Sequence, residues 1–244
     1  MRSLESERVH HGRVALALHI LKRESDGPPL LLLHALHGSS ADWADEVCTW
    51  PGGVYALDFS GHGDSDWLPG RGYAPEVFVA EADMAIARIA SGDRPLCIAG
   101  AGVGAYVAVL LAGARADVTA GVLLLPGAGL VGGGATPDQM DEAGASEWRT
   151  AVATPPRREG EPSPDPMVNR CERDVRPLYY IEEFARAAPP LHIAPMPVMP
   201  PWLQAALEHG DTRPVPAELG DALRQLAGRQ SNTPEPNEPP GASG

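Results

Sequence analysis

Short apolar runs separated by amphipathic or polar stretches dominate the pattern along the chain. Alternating apolar positions predict an antiparallel hairpin over residues 7–11 and 13–21, with its turn at His11 and Gly12. Four later runs have the length and composition of buried strands: residues 30–33, 54–58, 96–99 and 122–125. Helical patterns lie between these runs and begin near Ser40, Pro75 and Ala105. Strands and helices that alternate in this way predict an α/β fold, with a mostly parallel central sheet flanked by helices.

The pattern is less regular after residue 125. Residues 127–163 are rich in glycine, proline and charge, and we interpret them as a small excursion over the carboxyl edge of the sheet, in place of a full cap domain. Further elements are predicted as follows: a strand over residues 166–171, a helix from Pro177, a last strand over 191–194, and closing helices at 202–207 and 219–226. We therefore expect one domain over residues 1–228. The polar, proline-rich residues 229–244 are predicted to be a disordered tail.

Charge and composition narrow the range of partners. The 244 residues are enough for one sizeable core, and their formal net charge is −13. Nucleic acids and anionic membranes bind basic patches, so neither is expected as the main partner. No apolar run approaches the roughly 20 residues that span a bilayer, and the charged N-terminus lacks the apolar segment of a signal peptide.

The three cysteines, Cys48, Cys97 and Cys171, are too scattered for a disulfide framework or a structural zinc site. We expect a cytoplasmic protein that acts on or binds a small molecule, without a metal or cofactor. The sequence does not indicate the oligomeric state.

The most informative stretch is a glycine-rich turn at residues 100–105 (G-A-G-V-G-A), between a predicted strand and a predicted helix. Two kinds of site use such a turn. In a nucleophile elbow, G-x-S-x-G raises a serine above the sheet. In a dinucleotide-binding loop, G-x-G-x-x-G/A lets a pyrophosphate approach the helix N-terminus. The stretch fits the elbow except that Gly102 replaces the serine, and it fits the dinucleotide fingerprint at Gly100, Gly102 and Ala105.

Together with three other features, this turn resembles the α/β-hydrolase family over roughly residues 10–228. These features are the turn after the third strand (34–40), the D-x-x-G-H-G-x-S run at 58–65, and the E-R-D run at 172–174. The resemblance implies an α/β-hydrolase-like fold of the small soluble type that acts on esters, epoxides or carbon–carbon bonds. In the family the 58–65 turn is structural, so His62 and Ser65 are interpreted as turn residues.

Of the three catalytic positions that the resemblance assigns, only the acid position holds the expected type of residue. The nucleophile position falls on Gly102, which has no side chain that can attack a substrate. The acid position falls on Asp174. The histidine is expected after the last strand, where residues 195–201 contain none, which leaves His192 inside the predicted strand as a candidate.

The oxyanion hole of the family uses backbone amides, so it does not depend on the missing serine. The resemblance assigns these donors to Leu36 and Val103, next to His34 at the end of the third strand. With the nucleophile and the expected histidine missing, the sequence predicts a pseudoenzyme that lacks serine-hydrolase activity and binds a small apolar ligand.

Three alternatives remain open at this stage. An active hydrolase or lyase could use His37 or His34 as a base, with Asp58 or Asp174 as its partner. Residues 100–105 could bind a dinucleotide, although the expected acidic residue about 20 positions further on is missing. The chain could also be a structural or partner-binding domain with an apolar contact surface, for which the candidates are Met196, Met199 and Trp202.

Overall fold

The computed structural model describes residues 5–23, 26–43, 47–68, 72–89, 94–130, 162–173, 176–197 and 199–230. Most of the predicted excursion, at 131–161, lies outside the described residues. Asp174 and residues 231–244 of the predicted tail also lie outside them.

An eight-stranded sheet forms the centre of the described structure. Its strands are β1 (Glu5–His11), β2 (Val14–Lys22), β3 (Leu30–Leu33), β4 (Val54–Leu57), β5 (Leu96–Ala101), β6 (Thr119–Leu125), β7 (Leu191–Ile193) and β8 (Thr212–Pro214). The helices are α1 (Pro75–Ile89), α2 (Val103–Ala114), α3 (Tyr179–Ala187), α4 (Pro201–His209) and α5 (Leu219–Gln230). The order across the sheet is β1-β2-β4-β3-β5-β6-β7-β8. Strand β2 runs antiparallel to β1 and β4, and the other neighbours are parallel, so the predicted mostly parallel sheet is confirmed.

Strand β3 shows why the central apolar runs are continuous. Leu31 and Leu33 belong to the apolar cluster that contains residues of α1 to α4, whereas Leu30 and Leu32 pack in a second cluster with residues of α5. All four leucines have no exposed surface. A strand that is covered on both faces needs apolar residues at every position, and its carboxyl end then opens toward the edge where such folds bind ligands.

The structure corrects three predicted elements. The helix expected from Ser40 consists of two short 3-10 helices, Ser40–Trp43 and Val47–Thr49. The strand predicted over 166–171 is a 3-10 helix, Pro166–Glu172, because the Asp165 carboxylate caps it by accepting the Met167 amide hydrogen at 2.9 Å. Strand β8 was not predicted, and it pairs in parallel with β7, so β7 is not the last strand. Among the described residues, no helix combines the length and the apolar character that crossing a membrane requires.

Candidate functional site

The glycine turn between β5 and α2 has the backbone course of a nucleophile elbow. A Cβ atom at Gly100 would lie 2.2 Å from the carbonyl oxygen of Gly104, and one at Gly104 would lie 2.2 Å from that of Leu33. Side chains at these two positions would separate α2 from the sheet. Gly102 lies between them with φ 53° and ψ −118°, a strained conformation that glycine adopts readily.

The space above Gly102 is filled by the chain itself. A Cβ atom at Gly102 would lie 2.1 Å from the carbonyl oxygen of Ala128 and 2.5 Å from the carbonyl carbon of Gly127. Real Cβ atoms do not approach other atoms this closely. Gly102 therefore lacks a nucleophile and, because it has only a hydrogen in place of a side chain, also leaves space for the segment that follows β6.

We call residues 127–130 the plug. Its Ala128 carbonyl oxygen accepts two hydrogen bonds, one from the Leu36 amide at 3.0 Å and one from the Val103 amide at 3.0 Å. These are the two amides that the family resemblance assigns to the oxyanion hole. The structure therefore brings both donors together, but it directs them at a main-chain oxygen of the same molecule.

Contacts on both sides hold the plug. A Cβ atom at Gly127 would lie 2.5 Å from the Gly102 nitrogen, so these two glycines fit against each other. At the other end, Leu130 is buried with φ 56°, and its amide donates to the Cys171 carbonyl oxygen at 2.9 Å. The Trp202 indole donates to the Leu130 carbonyl oxygen at 3.1 Å.

This geometry does not favour the dinucleotide interpretation. A bound pyrophosphate would accept hydrogen bonds from the first amides of α2. The Gly102 amide donates instead to the Leu125 carbonyl oxygen at 3.3 Å, and the Val103 amide donates to Ala128. The strand that follows, β6, ends at Leu125 and is followed by Pro126, without the acidic residue that would hold a ribose.

His34 is a buried residue with both ring nitrogens engaged. The Phe59 amide donates to Nε2 at 3.1 Å, which leaves Nδ1 as the protonated nitrogen that donates to the Ala35 carbonyl oxygen at 2.7 Å. Its ring contacts those of Phe59 and His62. These contacts favour a structural role for His34, not the role of a base.

His37 is more open and directly follows Leu36, whose amide bonds to the plug. Its φ is 66°, unusual for a residue other than glycine, and its side chain is 26% exposed. Nε2 lies 4.0 Å from Oε1 of Glu172. Burial lowers the pKa of His37, although the charge of Glu172 partly opposes this effect. The partner is therefore Glu172, which the sequence did not single out, although it begins the E-R-D run.

Both carboxylate oxygens of Asp58 take part in a structural hydrogen-bond network. Its Oδ1 accepts the Ser40 amide hydrogen at 2.6 Å, and its Oδ2 accepts that of Asp64 at 2.9 Å and lies 3.0 Å from Nε2 of His19. Ser65 ties the same turn to β2, because its hydroxyl donates to the Asp58 carbonyl oxygen and accepts from the Ala17 amide.

His19, Asp58 and Asp64 also form the one group of metal-ligand residues found in the described part of the chain, with ligand atoms within 4.8 Å of one another. The hydrogen bonds on Asp58 already explain this arrangement. The group therefore carries no metal assignment.

Of the two remaining triad positions, the structure describes only His192, which lies inside a strand. Asp174 lies outside the described residues, and the segment before it is the 3-10 helix in place of the predicted strand. His192 is buried in the middle of β7, paired in register with Leu123 and Arg213. The last strand is β8, and residues 215–218 after it are Val, Pro, Ala and Glu, so the described chain has no histidine at the position expected after the last strand.

The chain belongs to the α/β-hydrolase family, whose model matches residues 30–236. The strand order, the elbow and the family match all support this assignment. A comparison with the sequences of curated proteins finds no significant match.

Solved structures with a similar fold include enzymes of this family. The thioesterase domain from the curacin biosynthetic pathway is 17% identical, with a TM-score of 0.66 over 95% of this chain and 100% of its own. An esterase from Rhodococcus sp. ECU1013 is 18% identical, with a TM-score of 0.65 over 94% and 98% of the two chains. A carboxylesterase from Bacillus subtilis is 14% identical, with a TM-score of 0.57 over 94% and 88%. At this level of identity the likeness shows the fold alone.

Proposed function

We propose that this α/β-hydrolase-fold protein does not carry out serine-dependent hydrolysis, and that its fold binds a small apolar ligand without turning it over. One observation carries the first half of the proposal. Any side chain at residue 102 would begin 2.1 Å from the Ala128 carbonyl oxygen, so the nucleophile position has no room for a nucleophile. Since the members of a catalytic triad act as a unit, losing the nucleophile removes most of the rate enhancement.

The second half of the proposal is supported by the chemistry around the centre. Leu36 and Val103, whose amides bond to the Ala128 carbonyl, and Leu130 at the end of the plug have apolar, buried side chains. Similar structures include an esterase and a carboxylesterase. A ligand with an apolar body suits such surroundings better than a strongly charged one.

The test of hydrolysis uses the wild-type protein and a panel of p-nitrophenyl esters with short and medium acyl chains. We expect no turnover above the uncatalysed rate and no labelling by a fluorophosphonate, a reagent for activated serines. Turnover of about 1 s⁻¹ or more, within the ordinary range of enzymes, would contradict the proposal.

The test of binding is thermal unfolding in the presence of C4 to C10 alcohols and esters. A ligand at 100 times its Kd stabilises the native state by about 2.7 kcal/mol, which raises Tm by several degrees. If no member of the panel raises Tm, the binding half of the proposal is wrong.

A second candidate function is favoured by the pair of His37 and Glu172. The lowered pKa of His37 keeps the imidazole neutral near pH 7, as a general base requires, and Glu172 can orient it. The pair flanks the plug, since its sequence neighbours Leu36 and Cys171 bond to residues 128 and 130. The chain would then be a hydrolase or lyase that activates water or removes a proton without a serine.

The same ester panel separates the two candidates. If the wild type is active, His37→Gln should abolish turnover and Glu172→Gln should reduce it, because the glutamine amide holds the histidine without its charge. His10→Gln, on the exposed face of β1, is the matched control. Activity that survives His37→Gln would exclude this mechanism.

A further inference from the structure

The arrangement of two amides around one carbonyl oxygen is the hallmark of an oxyanion hole with a bound acyl group. Here the Leu36 and Val103 amides both donate to Ala128, at 3.0 Å each. We propose that the plug is a built-in pseudosubstrate, in which the Ala128 peptide carbonyl permanently takes the place of a substrate carbonyl. This inference rests on the proposed absence of serine chemistry, because an intact serine and the plug cannot share the space.

Three glycines allow the plug to sit this deeply. Gly102 and Gly127 face each other, and a Cβ atom on either would overlap the backbone of the other. Gly129 has φ 105°, and a Cβ atom there would lie 2.9 Å from that of Val103 and 3.1 Å from that of Leu36. Each glycine therefore removes a clash with the elbow or with the oxyanion loop, as expected of a fitted contact.

The Leu130 contacts fix the plug from outside the centre. Its amide and carbonyl groups bond to Cys171 and Trp202, which come from the 3-10 helix and α4. Leu130 itself has φ 56°, a left-handed conformation that is unfavourable for a residue with a side chain. Contacts from these two parts of the chain hold it in this conformation.

The plug has a defined chemical consequence. The Ala128 carbonyl is polarised, but no nucleophile at residue 102 can attack it, so the Ala128–Gly129 peptide bond stays intact. An added ester or thioester meets no free oxyanion donor at the centre. Any apolar ligand of the proposed function therefore binds without engaging the Leu36 and Val103 amides.

The direct test is NMR detection of scalar couplings through the hydrogen bonds in the wild-type protein. We expect couplings from the Leu36 and Val103 nitrogens to the carbonyl carbon of Ala128. Their absence, with the coupling between the Ala105 nitrogen and the Gly102 carbonyl carbon visible as a reference for this region, would overturn the inference.

Amide hydrogen exchange in a variant provides the second test. Gly127→Ala adds a Cβ atom 2.5 Å from the Gly102 nitrogen, so it should displace the plug and speed exchange of the Leu36 and Val103 amides at least tenfold relative to Ile98 on β5. The control is Gly228→Ala, where nothing lies within 4 Å of the added atom, and it should leave these ratios unchanged. Equal acceleration of all three amides by Gly127→Ala would contradict the inference.

If Gly127→Ala does not fold, the couplings in the wild type still decide the question. Neither readout depends on ester turnover. An active wild type with intact couplings would refute the proposed function and leave the plug in place. An inactive wild type without couplings would refute the inference about the plug and leave the proposed function in place.

Discussion

At residue 102 the backbone conformation and the surrounding space both favour glycine. With φ 53°, a side chain is strained, and its Cβ atom would lie 2.1 Å from the Ala128 carbonyl oxygen. We predict that Gly102→Ser destabilises the protein by about 3 kcal/mol, from backbone strain and overpacking, and creates no esterase activity. Urea unfolding and the ester panel measure the two effects.

Gly228→Ala is the control for this substitution. Gly228 lies in α5 with open space around its Cα, and alanine there is expected to stabilise the helix by roughly 0.5 to 1 kcal/mol. A Gly102→Ser protein as stable as the wild type would show that the plug can be displaced without loss of stability. Ester turnover by that variant would show that only the hydroxyl was missing.

Glu81 is a buried carboxyl group on α1. Burial raises its pKa to about 7, against the opposing hydrogen bond that Ser60 donates from its amide at 3.0 Å. The folded state therefore binds the proton more tightly than the unfolded state, where the pKa is 4.5. The contribution of Glu81 to the free energy of unfolding is fully present below pH 4.5. It falls by about 3 kcal/mol as the pH rises through 7.

Glu81→Gln should remove this loss, because the amide cannot ionise. Urea unfolding between pH 4.5 and 8 should show a flatter profile for the variant than for the wild type. Glu76→Gln on the same helix should not flatten it, since Glu76 is half-exposed and its ion pair with Arg176 lowers its pKa. A wild-type profile that is already flat would show that Glu81 is ionised at no cost.

At the scale of elements, the pair of His19 and Asp58 joins β2 to the end of β4. Burial alone would lower the pKa of His19, but the hydrogen bond and charge of Asp58 outweigh it and raise that pKa. Burial would raise the pKa of Asp58, but its hydrogen bond with His19 helps to lower it. The pair should therefore stabilise the fold between the two pKa values, with a loss above pH 6.5 and another below pH 3.8.

His19→Asn should cost about 3 kcal/mol at pH 6, because it leaves a buried carboxylate without its charged partner. It should also remove the fall of Tm at alkaline pH that comes from His19. His10→Asn on the exposed face of β1 should change Tm little. Equal effects of the two substitutions would mean that the buried pair contributes no net stability.

The sequence predicts the central elements well and the outer ones poorly. Continuous apolar runs such as 30–33 identify buried strands because both faces of the sheet are covered. The last strand, β8, has only three residues, Thr, Arg and Pro, none of them buried, so no hydrophobic pattern marks it. The apolar residues of 166–171 led to the prediction of a strand, yet the carboxylate of Asp165 and the proline after it start a 3-10 helix.

At the scale of the whole molecule, the plug depends on contacts between distant parts of the chain. The resemblance to α/β hydrolases predicted the elbow and its two amides, and backbone donors do not depend on which side chains are present. The acceptor, the Ala128 carbonyl oxygen, could not be predicted, because a run of glycines and small residues after β6 has the composition of an ordinary loop. Only the folded chain shows that residues 36, 103 and 128 meet, with sequence separations that no local pattern spans.

Trp202 connects this centre to α4. Its indole donates to the Leu130 carbonyl oxygen and packs edge-on against Tyr106 of α2, with ring centroids 5.1 Å apart. Trp202→Phe keeps an aromatic ring there but loses the donor, so we predict a destabilisation of about 1 to 2 kcal/mol in urea. The Leu36 and Val103 amides should exchange faster than in the wild type, because the plug loses an anchor.

Trp67→Phe is the matched control, since Trp67 is 49% exposed and its replacement should change stability by less than about 0.5 kcal/mol. If Trp202→Phe lowered stability without changing exchange at Leu36 and Val103, the indole would support packing against α2 but not the plug. Faster exchange at both amides would mean that a side chain from the C-terminal part of the sequence keeps the oxyanion donors occupied. The closed centre would then be a property of the whole fold and not of the elbow alone.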